Sequence, residues 1–302
     1  MIQYEYDIKE FRPKNSRKII IFDILILIIS LSLFLYYGVI NVKYTNANTV
    51  SNINNEEKNQ NTQDVLNTDT QEEVNINYPL TSEQIEKINK IYNGEEGKKV
   101  AYLTFDDGPS NSVTPFILDY LKQEKIHATF FLLGNRVERY PEIVKRQLQE
   151  GHLIANHGYS HKYSSIYSSI DSVWQEYEQT EKAIQNALEN PNYHTNLFRF
   201  PGGSIGGYYH DLKQQAVEML ESKGVAHINW NALTNDSVGT PTKEEMLNKL
   251  KETVNGKNTV VILMHDAGDK ILTYEILPEI VQYLRENGYI FETFETILKQ
   301  EK

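Results

Sequence analysis

From residue 98 onward, short apolar runs of strand length alternate with amphipathic stretches of helix length. This alternation limits the possible folds more than any other feature. Strands are expected at 100–104, 128–133, 153–156, 197–200, 226–229 and 259–264, with a weaker one at 289–291. Between them, apolar residues recurring every three or four positions predict helices over 113–124, 141–150, 171–188, 212–222, 243–255 and 274–287. Repeated strand–helix units connect parallel strands, and about seven of them suggest a barrel. The expected fold class is therefore α/β, a distorted (β/α) barrel of about seven parallel strands. Just upstream, Thr81-Ser82-Glu83-Gln84 with Ile85, Ile88 and Ile91 reads as a short capped helix leading into the domain. No internal repeat and no GxxxxGK[ST] occurs, so the glycine pairs 202–203 and 206–207 do not read as a phosphate loop.

The N-terminal part has a different character. Residues 19–40 read IIIFDILILIISLSLFLYYGVI, 22 positions whose only charge is Asp23. At 1.5 Å per residue such a helix crosses a hydrocarbon core of roughly 30 Å. Lys9, Arg12, Lys14, Arg17 and Lys18 precede it, whereas only Lys43 and Lys58 occur between positions 41 and 60. That asymmetry predicts residues 1–18 in the cytoplasm, 19–40 as a single-pass anchor in the cell membrane, and the remainder extracellular. A cleaved signal peptide is the rival reading. It calls for an apolar region of about 7–15 residues and a small-residue cleavage site, and only Asn46-Ala47-Asn48 faintly suggests one. Residues 41–78, rich in Asn, Thr, Gln and Glu, are expected to form a disordered linker. Its reach would lie between about 35 Å and about 130 Å, close to the membrane surface. Residues 79–302 then form the folded domain.

The 302 residues include no cysteine, which removes disulfide frameworks, thiolate metal sites and cysteine nucleophiles together. A net charge of −11 argues against nucleic acid, whose phosphates demand clustered Lys and Arg. What remains are three polar clusters at or just after the ends of expected strands, where α/β barrels carry their sites. The first is Thr104-Phe105-Asp106-Asp107-Gly108-Pro109. Two adjacent carboxylates there cannot simply be core, since burying both unpaired is costly, although a capping turn into the next helix would use the same residues. The second is Asn156-His157-Gly158-Tyr159-Ser160-His161, whose two histidines lie four apart, on one face if the segment is helical. The third is Leu263-Met264-His265-Asp266, where a histidine emerges as an apolar strand ends. Singly, each cluster is more often structural. Together they supply one carboxylate and two imidazoles for a divalent ion, with open coordination positions. A spare carboxylate and a spare histidine complete a set for metal-assisted hydrolysis. Which aspartate takes which role is open at this level.

TFDDGP, HGYSH, RFPGGS at 199–204, WNALTND at 230–236 and LMH at 263–265 occur in an order and spacing that resembles the polysaccharide deacetylases of carbohydrate esterase family 4. The resemblance covers roughly residues 98–295. It implies a distorted barrel and hydrolysis of N-acetyl groups on amino-sugar polymers. By that resemblance Asp106 is the general base and Asp107 a metal ligand with His157 and His161, while His265 is the general acid. Arg199 pairs with the base, which should lower its pKa and keep it ionised. Asp236 orients His265 and raises its pKa. Leu263 forms an apolar wall for the acetyl methyl group, and a backbone N–H near Gly202 helps to hold the oxyanion. Zinc suits a two-histidine, one-aspartate set, and cobalt, nickel or manganese could also serve.

Three departures stand out. Gly158 occupies a position where many members carry Ser or Thr, Gly202-Gly203 replace a bulkier pair and should open the groove, and Leu233 stands where an acidic residue is common. Tyr163, Tyr167, Tyr208, Tyr209 and Trp230 lie near the motifs and could stack on sugar faces, Trp230 and Tyr208 being the chosen candidates. Membrane tethering and short reach point to a cell-wall glycan, most simply peptidoglycan N-acetylglucosamine. N-acetylmuramic acid, poly-N-acetylglucosamine, chitin oligosaccharides and acetylated xylan are the alternatives. No protein partner is implied. An inactive wall-glycan binding protein would predict loss of the base or acid, and both are present. A glycoside hydrolase built on Asp106 and a second carboxylate would leave HGYSH unexplained.

Overall fold

The computed structural model describes residues 78–92 and 98–298. The expected anchor at 19–40 and all of the 41–78 linker except Tyr78 lie outside the described residues. Among the described residues no helix is long and apolar enough to cross a membrane.

Parallel strands form one sheet. In chain order they are β1 (Val100–Asp106), β2 (Thr129–Leu132), β3 (Leu153–Asn156), β4 (Leu197–Phe198), β5 (Ala226–His227), β6 (Ala232–Leu233), β7 (Thr259–His265) and β8 (Ile290–Phe291). Their spatial order is β5-β4-β3-β2-β1-β7-β6, and β8 pairs with the first residues of β1. β1 and β7, each buried along nearly all of its length, pair in full register from Val100↔Thr259 to Asp106↔His265. The helices are α1 (Ser82–Tyr92), α2 (Thr114–Glu124), α3 (Gly134–Arg139), α4 (Pro141–Gln149), α5 (Tyr163–Ile166), α6 (Ile170–Leu188), α7 (His210–Ser222), α8 (Lys243–Val254), α9 (Ile271–Glu286) and α10 (Glu295–Leu298).

The α/β class and the parallel strands agree with expectation, but the barrel is open. β5 and β6 are the two ends of the sheet. Each is two residues long, too short to offer a closing ladder, and no helix intervenes between them. β6 was not anticipated, because two residues carry no periodicity. The short helices α3, α5 and α10 escaped for the same reason.

Strand alternation sorts the side chains into two layers. Ala101, Leu103, Phe105, Phe130, Leu132, Val260, Ile262 and Met264 face the outer helices in one apolar core. Tyr102, Phe131, Leu153, Ala155, Leu197, Ala226, Ile228 and Val261 fill the concave side with Ile88 and Ile91 of α1 and Leu298 of α10. Helix α1 starts as expected, because Thr81 and Gln84 cap each other: the Thr81 N–H donates to Gln84 Oε1 at 3.0 Å and the Gln84 N–H to Thr81 Oγ1 at 3.2 Å. Burying Ile88 and Ile91 completely contributes about 2 kcal/mol each and closes the lower end of the concave side. At the upper end the same alternation turns polar. Thr104 and Asp106 follow Tyr102, Arg199 follows Leu197, and His265 follows Val261 and Leu263.

Candidate active site

The polar rim begins with an ion pair. Arg199 is fully buried and donates from Nη1 to Asp106 Oδ1 at 2.8 Å and to Thr104 Oγ1 at 2.7 Å. Its Nε and Nη2 donate to the carbonyls of Ile228 and Asn229, both at 3.1 Å. The guanidinium also lies 3.9 Å over the Phe131 ring. The expected Asp106–Arg199 pair is therefore present. Arg199 lowers the Asp106 carboxyl as expected, through its charge and hydrogen bond, but burial pushes it up by more, so the net shift is upward from the ordinary carboxylate value. Asp106 Oδ1 is committed to Arg199, while Oδ2 lies 3.8 Å from His157 Nε2.

Asp107 leaves the strand direction. Its φ is 73°, so a left-handed turn aims the two neighbouring carboxylates differently. Aspartate tolerates this region better than most residues. The HGYSH segment is a loop, which corrects the helical reading. Gly158 has φ 80°, a conformation glycine adopts without penalty, and His161 has φ 56°. Hydrogen bonds from two directions shape the loop. The Gly158 N–H donates to Asn156 Oδ1 at 2.9 Å. The N–H groups of Tyr159 and Ser160 both donate to Glu176 Oε2 at 2.6 Å, and Ser160 Oγ donates to Glu176 Oε1 at 2.5 Å. Folded back in this way, His157 Nε2 and His161 Nε2 lie 3.5 Å and 3.4 Å from Asp107 Oδ1.

These three residues fit a divalent ion. One donor atom from each lies within 4.8 Å of the others. Asp107 Oδ1 is buried and accepts no hydrogen bond among the described residues. His157 Nδ1–H donates to the Arg199 carbonyl at 2.7 Å, which fixes the tautomer and turns the Nε2 lone pair toward the cluster. Burial lowers the His157 pKa to about 3, so the ring is neutral and able to ligate.

His265 stands beside Asp106 across the β1–β7 ladder. Its Nδ1–H donates to Asp236 Oδ1 at 2.8 Å, and its backbone N–H donates to Asp236 Oδ2 at 2.7 Å. Thr273 Oγ1 adds a third bond to Asp236 at 2.8 Å. Burial disfavours the imidazolium, but the Asp236 hydrogen bond and charge, with the charges of Asp106 and Asp107, outweigh it and raise His265 to about 9. Leu233 takes no part in this pairing, and Asp236 alone supplies it.

Leu263 is half-buried on the His265 face of β7, between Thr104 and Leu233. Gly202 has φ 73°, and its N–H meets no acceptor among the described residues. Trp230 is half-buried behind this loop, where a Cβ added at Gly203 would lie 3.1 Å from its Cη2. Tyr208 is not brought in. Its ring is 95% exposed and packs edge-on against Tyr209. Sequence reasoning missed Glu176, and it gave Asn156 of the second cluster no role. Glu176 sits on an amphipathic helix where a glutamate reads as a surface residue, and no local signal links it to a loop that precedes it.

Residues 93–225 match the family model described as polysaccharide deacetylase. A peptidoglycan-N-acetylglucosamine deacetylase of Bacillus cereus is 33% identical over 210 residues, covering 67% of this chain and 89% of the relative. The peptidoglycan-N-acetylglucosamine deacetylase PgdA of Listeria monocytogenes is 32% identical over 215 residues, 70% of this chain but only 41% of the relative. Among solved structures, a CE4 esterase of Streptococcus mutans superposes with a TM-score of 0.62 at 32% identity, covering 68% of this chain and 90% of that one.

Proposed function

The chain belongs to the polysaccharide deacetylase family, and from that premise we propose that it hydrolyses N-acetyl groups on a cell-wall amino-sugar polymer, peptidoglycan N-acetylglucosamine first. One observation carries the reading. A carboxylate paired with Arg199 and a histidine paired with Asp236 stand on adjacent strands beside the Asp107–His157–His161 group.

Asp107, His157 and His161 would hold a divalent ion, zinc being the best match to this donor set and cobalt, nickel or manganese the alternatives. When bound, the ion supplies Lewis-acid polarisation of the acetyl carbonyl and a positive charge that keeps the neighbouring carboxylates ionised. Asp106 is the general base, and Oδ2 is the oxygen that accepts the proton of the attacking water, because Oδ1 is held by Arg199. The Gly202 N–H donates to the oxygen on which charge develops, and Leu263 walls the methyl group. His265 is the general acid. Its Nδ1 is committed to Asp236, so Nε2 delivers the proton to the departing nitrogen. The C–N bond breaks, and acetate and a free amine are released.

The test uses the full-length protein, stripped of metal and then zinc-loaded, on purified peptidoglycan. Metal-dependent acetate matched by new amines, with glycan length unchanged, is expected. Acetate without amines would replace the amide reading by an ester one. We also propose that residues 19–40 anchor the chain with its catalytic domain outside the membrane. Protease added to intact cells should then digest the domain and spare the first residues.

Two further outcomes follow from the supporting bonds. Glu176→Ala frees two loop N–H groups and should weaken zinc binding by about 10- to 100-fold in a chelator competition. Glu176→Gln keeps an acceptor for both and should recover most of the loss, and equal affinity in the Ala variant would remove the role. Asp236→Asn withdraws the charge that favours the His265 imidazolium. His265 should then lose its proton at lower pH, moving the alkaline limb of kcat/KM from about 9 toward acid by about 1 unit or more. A limb that stays in place would detach it from this pair.

A further inference from the structure

The groove expected to open at Gly202 is filled from another part of the chain. A Cβ built on Gly202 would lie 2.3 Å from Tyr163 Oη and 3.1 Å from its Cζ, so the phenol tip stands directly against the bare backbone. The same ring is 5.7 Å from the His161 ring, centroid to centroid. It is braced from behind by Tyr167, edge to face at 5.6 Å, and Tyr167 is itself tied through its hydroxyl to the Pro201 carbonyl at 2.6 Å. Yet Tyr163 remains 42% exposed, and its hydroxyl makes no hydrogen bond among the described residues.

Resting on the deacetylase reading, we propose that Tyr163 is a specificity-determining residue: its phenol takes the place of the side chain absent at 202 and contacts the acetylated hexosamine unit next to Asp107, His157 and His161. A braced aromatic face with a free hydroxyl suits a sugar ring, which offers C–H patches to the face and hydroxyls to the polar tip. The unpaired Gly202 N–H lies beside it, so two donors line one rim. Trp230 is half-buried behind Gly203, and Tyr208 is 95% exposed with its ring against Tyr209, whereas the Tyr163 ring is seated against His161 of the metal-binding group. The ring acts on binding of the sugar and takes no part in the proton transfers.

The experiment compares full-length wild type, Tyr163→Phe and Tyr163→Ala, all zinc-loaded. Substrates are an N-acetylglucosamine tetramer and 4-nitrophenyl acetate, which offers an acetyl group without a sugar. Bound zinc is measured in each protein. Tyr163→Phe should raise KM for the tetramer by about 3- to 10-fold, and Tyr163→Ala by about 10- to 100-fold. The change in kcat should be much smaller, and the loss on 4-nitrophenyl acetate far smaller than on the tetramer. An unchanged KM in Tyr163→Ala, or parallel losses on both substrates together with lost zinc, would overturn the proposal. Calorimetric affinity for the tetramer is measured alongside and needs no turnover. A wild type that binds the tetramer without hydrolysing it would retire the deacetylase reading, while weaker binding by Tyr163→Ala would still support the contact. Equal affinities, or no binding by the wild type, would end it.

Discussion

Asp106→Asn will lower kcat on an N-acetylated glycan by about 100- to 10,000-fold, the usual yield of a positioned general base, while zinc binding is retained. The asparagine can keep an oxygen facing Arg199, which in wild type donates to Oδ1 at 2.8 Å. What it cannot do is accept a proton at the position of Oδ2. Asp107, His157 and His161 are untouched, so the metal-binding group survives. The same change carries a stability cost. Arg199 is fully buried, and Asp106 is the carboxylate paired with it. Leaving a buried guanidinium without its counter-charge costs about 3–5 kcal/mol in comparable cases. Here three contacts persist, to Thr104 Oγ1 and the carbonyls of Ile228 and Asn229, so a folded protein with a lowered Tm is expected. Turnover and zinc content should therefore be measured well below that Tm. Turnover near the wild-type rate would remove Asp106 as the base.

The parts of this site that could be read in the sequence are those whose signal is local. An apolar run ending in DDGP or LMH announces a strand and what lies at its tip, and the structure places Asp106 and His265 at paired positions of β1 and β7. The geometry between the clusters was not legible. Asp107 and His161 stand at positive φ, and nothing in a string of residue types distinguishes that from an extended or helical reading of the same letters. The support of HGYSH comes from Glu176 on a helix that follows it, a contact set by packing of α6 against the sheet rather than by spacing. Glycine at 202 promised open space by the same local logic. The space is taken by Tyr163, which reaches it because loop and helix meet over the rim. Electrostatics misled in a similar way. The Asp106–Arg199 pair suggested a depressed pKa, but both groups are buried at the top of the concave layer, where burial outweighs pairing. In each case the missing quantity is the environment contributed by distant segments.

His265→Ala will separate the two halves of the proposed reaction. Loss of the acid should reduce hydrolysis of the N-acetyl glycan by about 100- to 10,000-fold, because an amine departs as a poor anion unless it is protonated as the C–N bond breaks. With 4-nitrophenyl acetate the leaving phenolate is stable without a proton, so the loss should be far smaller. In wild type the imidazole is kept ready to donate, because Asp236 accepts both its Nδ1–H and its backbone N–H and, with the charges of Asp106 and Asp107, raises it to about 9. The protonated form therefore dominates below that pH and disappears above it. The alkaline fall in glycan activity should vanish in the variant, since the group responsible is gone, while the residual rate on the aryl ester still requires Asp106. Asp236 keeps its bonds from the residue 265 backbone and Thr273, which favours a folded variant with zinc bound. Equal losses on the two substrates would place His265 in support of the site rather than at the leaving group. Unequal losses would assign bond cleavage to His265 and leave water attack to Asp106 on the neighbouring strand.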